Sequence, residues 1–308
     1  MINILNLNRT NQLPNSSAIF AQKIYRQLFY SFSNIQNWIK NEIIHPVDQK
    51  VRQKCNGFLG LRDLSQCTLL EKKNGVIYYL WQNTSFDVNR TTYVVTHGWC
   101  SGGARDGDFQ DLLVAIKNHI PDANVIFVDW TEYANHLNYT FVKKNTLKVG
   151  ALLGDFLANL GVNSSKVSLI GHSLGAHILG NAGASYAEQT GNAINTIIAL
   201  EPAGPLFKDT SKCQRLDDGD AEHVIAFHST TIFGYSEMIG DVDIFLNDWI
   251  NSKQPGASGI MALKSSHTYP ILVLADLLKG KTFQQRDHSF LSLNSLYDWS
   301  GSYHCTTQ

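Results

Sequence analysis

The sequence predicts an α/β domain, with a mostly parallel central sheet flanked by helices. From Cys55 onwards, short β-like runs alternate with longer helical stretches, the pattern of strand–helix–strand units. Several strand candidates are near-continuous runs of Val, Ile and Leu, which is typical of strands covered by helices on both faces. A glycine-flanked serine, Ser173, stands at one strand-to-helix junction.

The individual elements follow from local periodicity. Strand candidates are β-rich runs bounded by turn residues, namely Val76–Trp81, Thr92–Thr96, Asn124–Trp130, Lys166–Ile170, Ile194–Leu200, His223–His228 and Asp241–Leu246. Helix candidates carry apolar residues three or four positions apart, namely Gly107–Ile120, Phe141–Leu160, Gly175–Gln189 and Ser265–Leu278. No repeat or linker divides residues 55–308, and we place a single domain at residues 51–308.

Residues 1–50 differ from this domain in their pattern of apolar and polar residues. Apolar residues from Ile24 to Ile43 form one helical stripe, which predicts a helix packed on the domain; an interfacial membrane helix is the alternative. The role of this extension is open. The first twenty residues are rich in Asn and Ser and lack the compact apolar segment of a signal peptide.

Composition excludes several classes of protein. With 25 Lys+Arg against 26 Asp+Glu, the net charge is −1, which argues against a nucleic-acid partner. No run of about 18 uncharged apolar residues appears, so we expect no transmembrane segment. Five scattered cysteines lack the paired spacing of a zinc or redox site. Six Asn-x-Ser/Thr sequons, at Asn8, Asn15, Asn83, Asn89, Asn138 and Asn163, lean towards secretion.

The central motif is Gly-His-Ser-Leu-Gly at residues 171–175. A Gly-x-Ser-x-Gly turn between strand and helix holds its serine hydroxyl exposed above the sheet. A hydroxyl needs a base, for which histidine is suited, and the histidine needs a carboxylate to fix its tautomer. The order serine, acid, histidine selects Ser173 as nucleophile, Glu201 directly after a strand as acid, and His267 as base. Asp243 and Glu237 are the alternative carboxylates.

A developing oxyanion needs two N–H donors. The backbone of Leu174, directly after the nucleophile, supplies the first. Trp99 supplies the second, because Gly98 lets the chain turn after an earlier strand. The predicted centre needs no metal and no organic cofactor.

From about Cys55 onwards the chain resembles the pancreatic lipase family, in particular its phospholipase A1-like branch from arthropods. The matching stretches occur in the family's order. They are His97-Gly98-Trp99, Val128-Asp129-Trp130, residues 171–177, residues 200–205, residues 215–221, Gly240-Asp241-Val242-Asp243, Gln254-Pro255-Gly256 and Ser266-His267. The resemblance implies an α/β-hydrolase fold, hydrolysis of lipid carboxylesters at a membrane or micelle surface, and secretion.

The chain also departs from that family. The family's triad acid is an aspartate where this chain has Glu201, and the cysteines that bracket the family's lid fall at Ala257 and Ser265 here. The chain ends about 40 residues past His267, so we expect no C-terminal lipase-consensus domain.

Loop lengths bear on the substrate class. The segment 257–265 and the connection between His228 and Asp243 are short, and in the family short versions accompany phospholipase A1 activity. A triacylglycerol or galactolipid lipase is one alternative. A non-catalytic lipid-binding or storage protein on the same fold, as insect yolk proteins are, is the other.

Overall fold

The computed structural model describes residues 67–82, 85–100, 107–258 and 262–307, all of which belong to the second of the two units into which the chain divides, residues 60–308. The strands are β1 Cys67–Lys73, β2 Val76–Trp81, β3 Thr92–Thr96, β4 Asn124–Asp129, β5 Val167–His172, β6 Thr196–Leu200, β7 His223–His228, β8 Val242–Leu246, β9 Phe283–Gln285, β10 Phe290–Leu291 and β11 Gly301–Thr306. The helices are α1 Gly107–His119, α2 Thr131–Ala134, α3 Tyr139–Leu160, α4 Leu174–Thr190, α5 Ala262–Leu278 and α6 Ser295–Asp298.

The described strands form one sheet in the order β1-β2-β4-β3-β5-β6-β7-β8-β11-β9-β10. The strands from β4 to β11 in this order are parallel, whereas β1 and β2 at one edge and β9 and β10 at the other are antiparallel to their neighbours. Parallel strands end at the same edge of a sheet, so the carboxyl ends of β5, β6, β7, β8 and β11 lie side by side.

Two apolar cores lie on opposite faces of the sheet. Successive residues of a strand point to opposite faces, and neighbours such as Val94 and Val95, or Leu169 and Ile170, accordingly belong to different cores. The first core packs against α3 and α4, and the second against α1 and α5. Covering of both faces explains why these strands are continuously apolar.

The predicted fold class, an α/β domain with a mostly parallel sheet flanked by helices, is confirmed. Each strand and helix predicted after residue 55 is present, with ends moved by up to three residues; α5 begins at Ala262 rather than Ser265. β1, β9, β10, β11, α2 and α6 were not predicted. β9, β10, α2 and α6 have four residues or fewer, and β1 and β11 contain many polar residues, so their apolar pattern is weak.

The helix predicted from Ile24 to Ile43 lies outside the described residues. Within the described ranges, no helix combines the length and the apolar character that crossing a bilayer requires.

Candidate active site

Ser173 stands at the turn between β5 and α4. Its backbone angles, φ 57° and ψ −119°, lie in a region that residues other than glycine rarely adopt. The turn is held from below, because the Ser173 N–H donates to the carbonyl oxygen of Leu200 at 3.1 Å. Gly175 permits the tight packing: a Cβ there would lie 2.7 Å from the carbonyl oxygen of His97. The motif therefore forms the strained elbow that its spacing predicted.

His267, from α5, faces this serine. Its Nε2 lies 2.9 Å from Ser173 Oγ. For His267 to act as a base, Nε2 must accept from the hydroxyl, which requires the ring proton on Nδ1. Burial and the neighbouring His172 hold the pKa of His267 well below 6.5. The imidazole is therefore neutral near pH 7, the state a general base needs.

His172 fastens the backbone of this histidine. Its ring N–H, at Nε2, donates to the carbonyl oxygen of His267 at 3.0 Å, and the two ring centroids are 4.7 Å apart. Burial lowers the pKa of His172 to about 4. Near pH 7 the His172 ring is therefore a neutral hydrogen-bond donor to the backbone of His267.

Glu201 follows β6 and is fully buried, with φ +51°. One carboxylate oxygen, Oε1, accepts from the Thr230 backbone N–H at 2.9 Å and from its hydroxyl at 2.8 Å. The other, Oε2, accepts from the backbone N–H and the hydroxyl of Ser229. Burial raises the pKa of Glu201 to about 7, against these hydrogen bonds, which lower it. Gly234 makes room for the long side chain, because a Cβ there would overlap Oε1.

The structure brings Ser173 and His267 together, but it places the carboxylate of Glu201 elsewhere. Within the described ranges, Nδ1 of His267 is buried and has no hydrogen-bond partner. Glu201 is connected to the histidine only indirectly: Ser229 Oγ lies 2.7 Å from the carbonyl oxygen of Ser266, the residue before His267. The carboxylate of Glu201 lies in the turn after β7, against Ser229 and Thr230.

The alternative carboxylates lie in other environments. Asp243 is buried and accepts from His228, with Nε2 and Oδ1 2.7 Å apart, and from the Ile239 N–H at 3.0 Å. Glu237 is exposed. Asp243 therefore pairs with a different histidine, on β7.

The predicted oxyanion donors flank the nucleophile. Leu174 is the first residue of α4, where backbone N–H groups have no acceptor within the helix. Gly98 lies so close to the serine that a Cβ there would stand 2.8 Å from Ser173 Cβ, which brings the backbone of the next residue, Trp99, to the site. The Trp99 side chain is anchored through its Nε1, which donates to the His136 carbonyl oxygen at 2.8 Å.

Sequence reasoning missed a buried polar network beside the histidine. Gln254 donates from Nε2 to the carbonyl oxygen of Ser229 at 2.8 Å and from its backbone to Ser266 Oγ at 3.3 Å. Ser229, Thr230 and Gln254 all lie at the carboxyl ends of β7 and β8 or just beyond. Their position at the same sheet edge as Ser173 was the sequence signal that could have identified them as site residues.

In the described part of the chain no group of three or more His, Cys, Asp or Glu is arranged to hold a metal ion.

Comparison of the sequence with known proteins identifies the family to which the chain is similar. Residues 28–278 match the sequence profile of the family described as Lipase. Phospholipase A1 2 of Dolichovespula maculata is 30% identical over 230 residues, covering 71% of this chain and 73% of that protein. Lipase member H of Oryctolagus cuniculus is 33% identical over 228 residues, covering 70% of this chain and 49% of that protein. The chain thus spans about half the length of the latter. Among solved structures, an arylesterase aligns with a TM-score of 0.39 and 15% identity, over 80% of this chain and 97% of its own.

Proposed function

The chain belongs to the Lipase family, and we propose that it hydrolyses carboxylic esters of lipids through a serine acyl-enzyme. The observation that carries the proposal is the 2.9 Å contact between Ser173 Oγ and His267 Nε2 at a strained strand-to-helix turn. A nucleophile within hydrogen-bond reach of a neutral imidazole is the arrangement that acyl transfer requires.

In the proposed reaction, Ser173 Oγ attacks the ester carbonyl carbon while its proton passes to Nε2 of His267. The backbone N–H groups of Trp99 and Leu174 bind the resulting oxyanion. The imidazolium then returns the proton to the departing alcohol, leaving an acyl-serine. Water attacks this ester, giving a proton to His267, and the fatty acid leaves as Ser173 regains its hydrogen.

Glu201 is the proposed acid of the centre, and it acts without a direct hydrogen bond to His267. Its carboxylate lies in the turn after β7, and Ser229 connects it to the backbone before His267. The buried negative charge stabilises the transient imidazolium, because charges interact strongly where water is excluded. The Ser229 Oγ is also within hydrogen-bond distance of the Ser266 carbonyl oxygen, so its single hydrogen can be given to the carboxylate or to the backbone before His267.

We propose phospholipase A1-type release of fatty acid from phospholipid as the specific activity. The similarity to phospholipase A1 2 supports this choice, as do the short segment 257–265 and the short connection between β7 and β8. The experiment compares release from the sn-1 position of phosphatidylcholine with release from triolein in matched mixed micelles. Faster release from phosphatidylcholine is expected, and the opposite ranking would assign the chain to triacylglycerol lipases.

One observation favours a second candidate, a lipid-binding protein without catalysis. Within the described ranges, Nδ1 of His267 lacks the acceptor that an efficient triad provides. A fluorophosphonate probe separates the two, because it reacts only with an activated serine. Labelling that Ser173→Ala abolishes is the expected result, whereas folded but unlabelled protein would favour the binding function.

Secretion is part of the proposal. Three of the sequon asparagines, Asn89, Asn138 and Asn163, are exposed, as an acceptor for glycosylation must be.

A further inference from the structure

A cavity of about 600 Å³ opens at the sheet edge that carries the candidate active site. It lies where β8 and β11 end, and β8 is three strand spacings from β5, or about 14 Å. Its size is within the range of small-molecule sites, roughly 300–1,000 Å³. Its lining includes Asn247, Asp248, Lys253, Gln254, Arg286 and His304.

The charge of this lining is positive. Lys253 and Arg286 contribute two cations, and neither forms an ion pair with a carboxylate in the described part of the chain. The acidic residue in the lining, Asp248, accepts from Asn251 Nδ2 at 3.0 and 2.8 Å. The carboxylate next to Arg286 in the chain, Asp287, accepts from the backbone and hydroxyl of Ser289. The two cations thus remain available to an external anion.

His304 adds an unsatisfied polar group. Its Nδ1 is buried and, among the described residues, has no hydrogen-bond partner, and its ring stacks on Phe245 with centroids 5.2 Å apart. Buried polar atoms in folded proteins nearly always have a partner. Because His304 also lines the cavity beside Lys253 and Arg286, its ring reports on what the cavity binds.

We propose that this cavity, the β8–β11 pocket, binds a phosphate-type anion: the phosphodiester of a lipid headgroup, or free phosphate. Lys253 and Arg286 supply its charge and its N–H donors. The lipid source rests on the proposed function. It is favoured by Ile250, which is 64% exposed on the loop between Asp248 and Lys253. An apolar side chain beside a cationic site is the combination that holds proteins at lipid surfaces.

The pocket communicates with the catalytic histidine through a single residue. Gln254 lines the pocket, and its backbone and side chain donate to Ser266 and Ser229, which adjoin His267 and Glu201. Lys253 directly precedes Gln254, so an anion bound by Lys253 also restrains the backbone at Gln254. Headgroup binding would therefore stabilise the network that supports the catalytic base.

The test uses the full chain carrying Ser173→Ala, so that binding is measured without turnover and independently of the proposed reaction. Inorganic phosphate, against chloride at equal ionic strength, is the first probe, and the NMR resonance of the His304 imidazole is the readout. Vesicles of phosphatidylcholine with and without phosphatidylglycerol are the second probe, measured by co-sedimentation. Lys253→Gln and Arg286→Gln are compared with Lys166→Gln, an exposed lysine at the opposite edge of the sheet.

Phosphate should shift the His304 resonance, and each pocket variant should weaken binding about fivefold per lost cation, while Lys166→Gln binds as the parent does. A response to both probes identifies a lipid headgroup, and a response to phosphate alone identifies a free anion. If neither probe perturbs His304, or if the pocket variants and Lys166→Gln bind alike, the pocket is not an anion site. None of these results bears on ester hydrolysis, which fluorophosphonate labelling tests separately.

Discussion

Ser229 donates to Oε2 of Glu201 through both its backbone N–H and its hydroxyl. The same hydroxyl oxygen lies 2.7 Å from the carbonyl oxygen of Ser266. All three residues are fully buried, so water cannot compete for these contacts and each is worth more than at the surface. The carboxylate of Glu201, the proposed acid, is therefore held in the turn after β7, and Ser229 lies between it and the backbone before His267.

Replacing the nucleophile tests the reaction itself. Ser173→Ala should abolish ester hydrolysis, because loss of a catalytic serine costs on the order of 10⁶ in turnover. The fold should persist, since only a hydroxyl is removed from the turn. Hydrolysis of a short-chain ester and the thermal unfolding midpoint are the measurements. Activity retained by the pure variant would exclude the serine mechanism.

Glu201 variants test how the acid acts. Glu201→Gln should lower turnover by roughly 10², less than the 10⁴ typical of a directly bonded acid, because the carboxylate lies one hydrogen-bonded residue away. Glu201→Asp should match or exceed the parent, since the shorter side chain withdraws from Ser229 and Thr230 and can reach towards Nδ1. Steady-state kinetics with a soluble ester provides the comparison. A loss near 10⁴ in Glu201→Gln would indicate direct contact with the imidazole during turnover.

Ser229 and Thr230 offer a matched pair. Ser229→Ala removes the hydroxyl that joins Glu201 to Ser266, and should lower turnover about tenfold, the value of one hydrogen bond to a charged group. Thr230→Val removes the equivalent hydroxyl from Oε1 but leaves the link to Ser266 intact. It should lower the unfolding midpoint with little change in turnover. Equal losses of turnover in both variants would show that Ser229 only stabilises the structure and does not connect Glu201 to His267.

The pH profile separates the two titrating groups. In the proposed mechanism, full activity requires a neutral His267, whose pKa lies well below 6.5, and an ionised Glu201, whose pKa is raised by burial to about 7. Both conditions fail on the acid side, so kcat/KM should fall below about pH 7, with Glu201 titrating first. Glu201→Gln should lose the decrease in kcat/KM near pH 7 and keep only the decrease caused by protonation of His267, well below pH 6.5. An unchanged acid limb in that variant would show that ionisation of Glu201 is not required.

Glycosylation tests the secretory route. In a secretory host, Asn89, Asn138 and Asn163 should carry glycans that an endoglycosidase removes, measured as a mass shift for each Asn→Gln variant. Asn138→Gln should also destabilise the fold by about 1 kcal/mol, because the Asn138 side chain caps α3 by accepting from the Phe141 N–H at 3.1 Å. Asn89→Gln, which removes no helix cap, is the control. Unmodified protein from that host would contradict the proposal of a secreted glycoprotein.

The sequence alone determined the features that are local in the chain. Runs of β-branched residues and helical periodicity located the strands from β2 to β8 and the four long helices, because these signals arise from neighbours within a few positions. The motif at 171–175 located the elbow for the same reason: glycine is required wherever the turn is too tight for a side chain. The choice of His267 rested instead on the chain order serine, acid, histidine and on the match of Ser266-His267 to the family.

Only the tertiary structure decided where the carboxylate of Glu201 points. Its partners, Ser229 and Thr230, are 28 and 29 positions away, and the space it fills is set by Gly234. The β8–β11 pocket likewise joins Lys253, Arg286 and His304 from three segments, and β11 was not predicted. Contacts between distant residues depend on which strands become neighbours and how far each side chain reaches, and neither quantity is encoded in a local pattern.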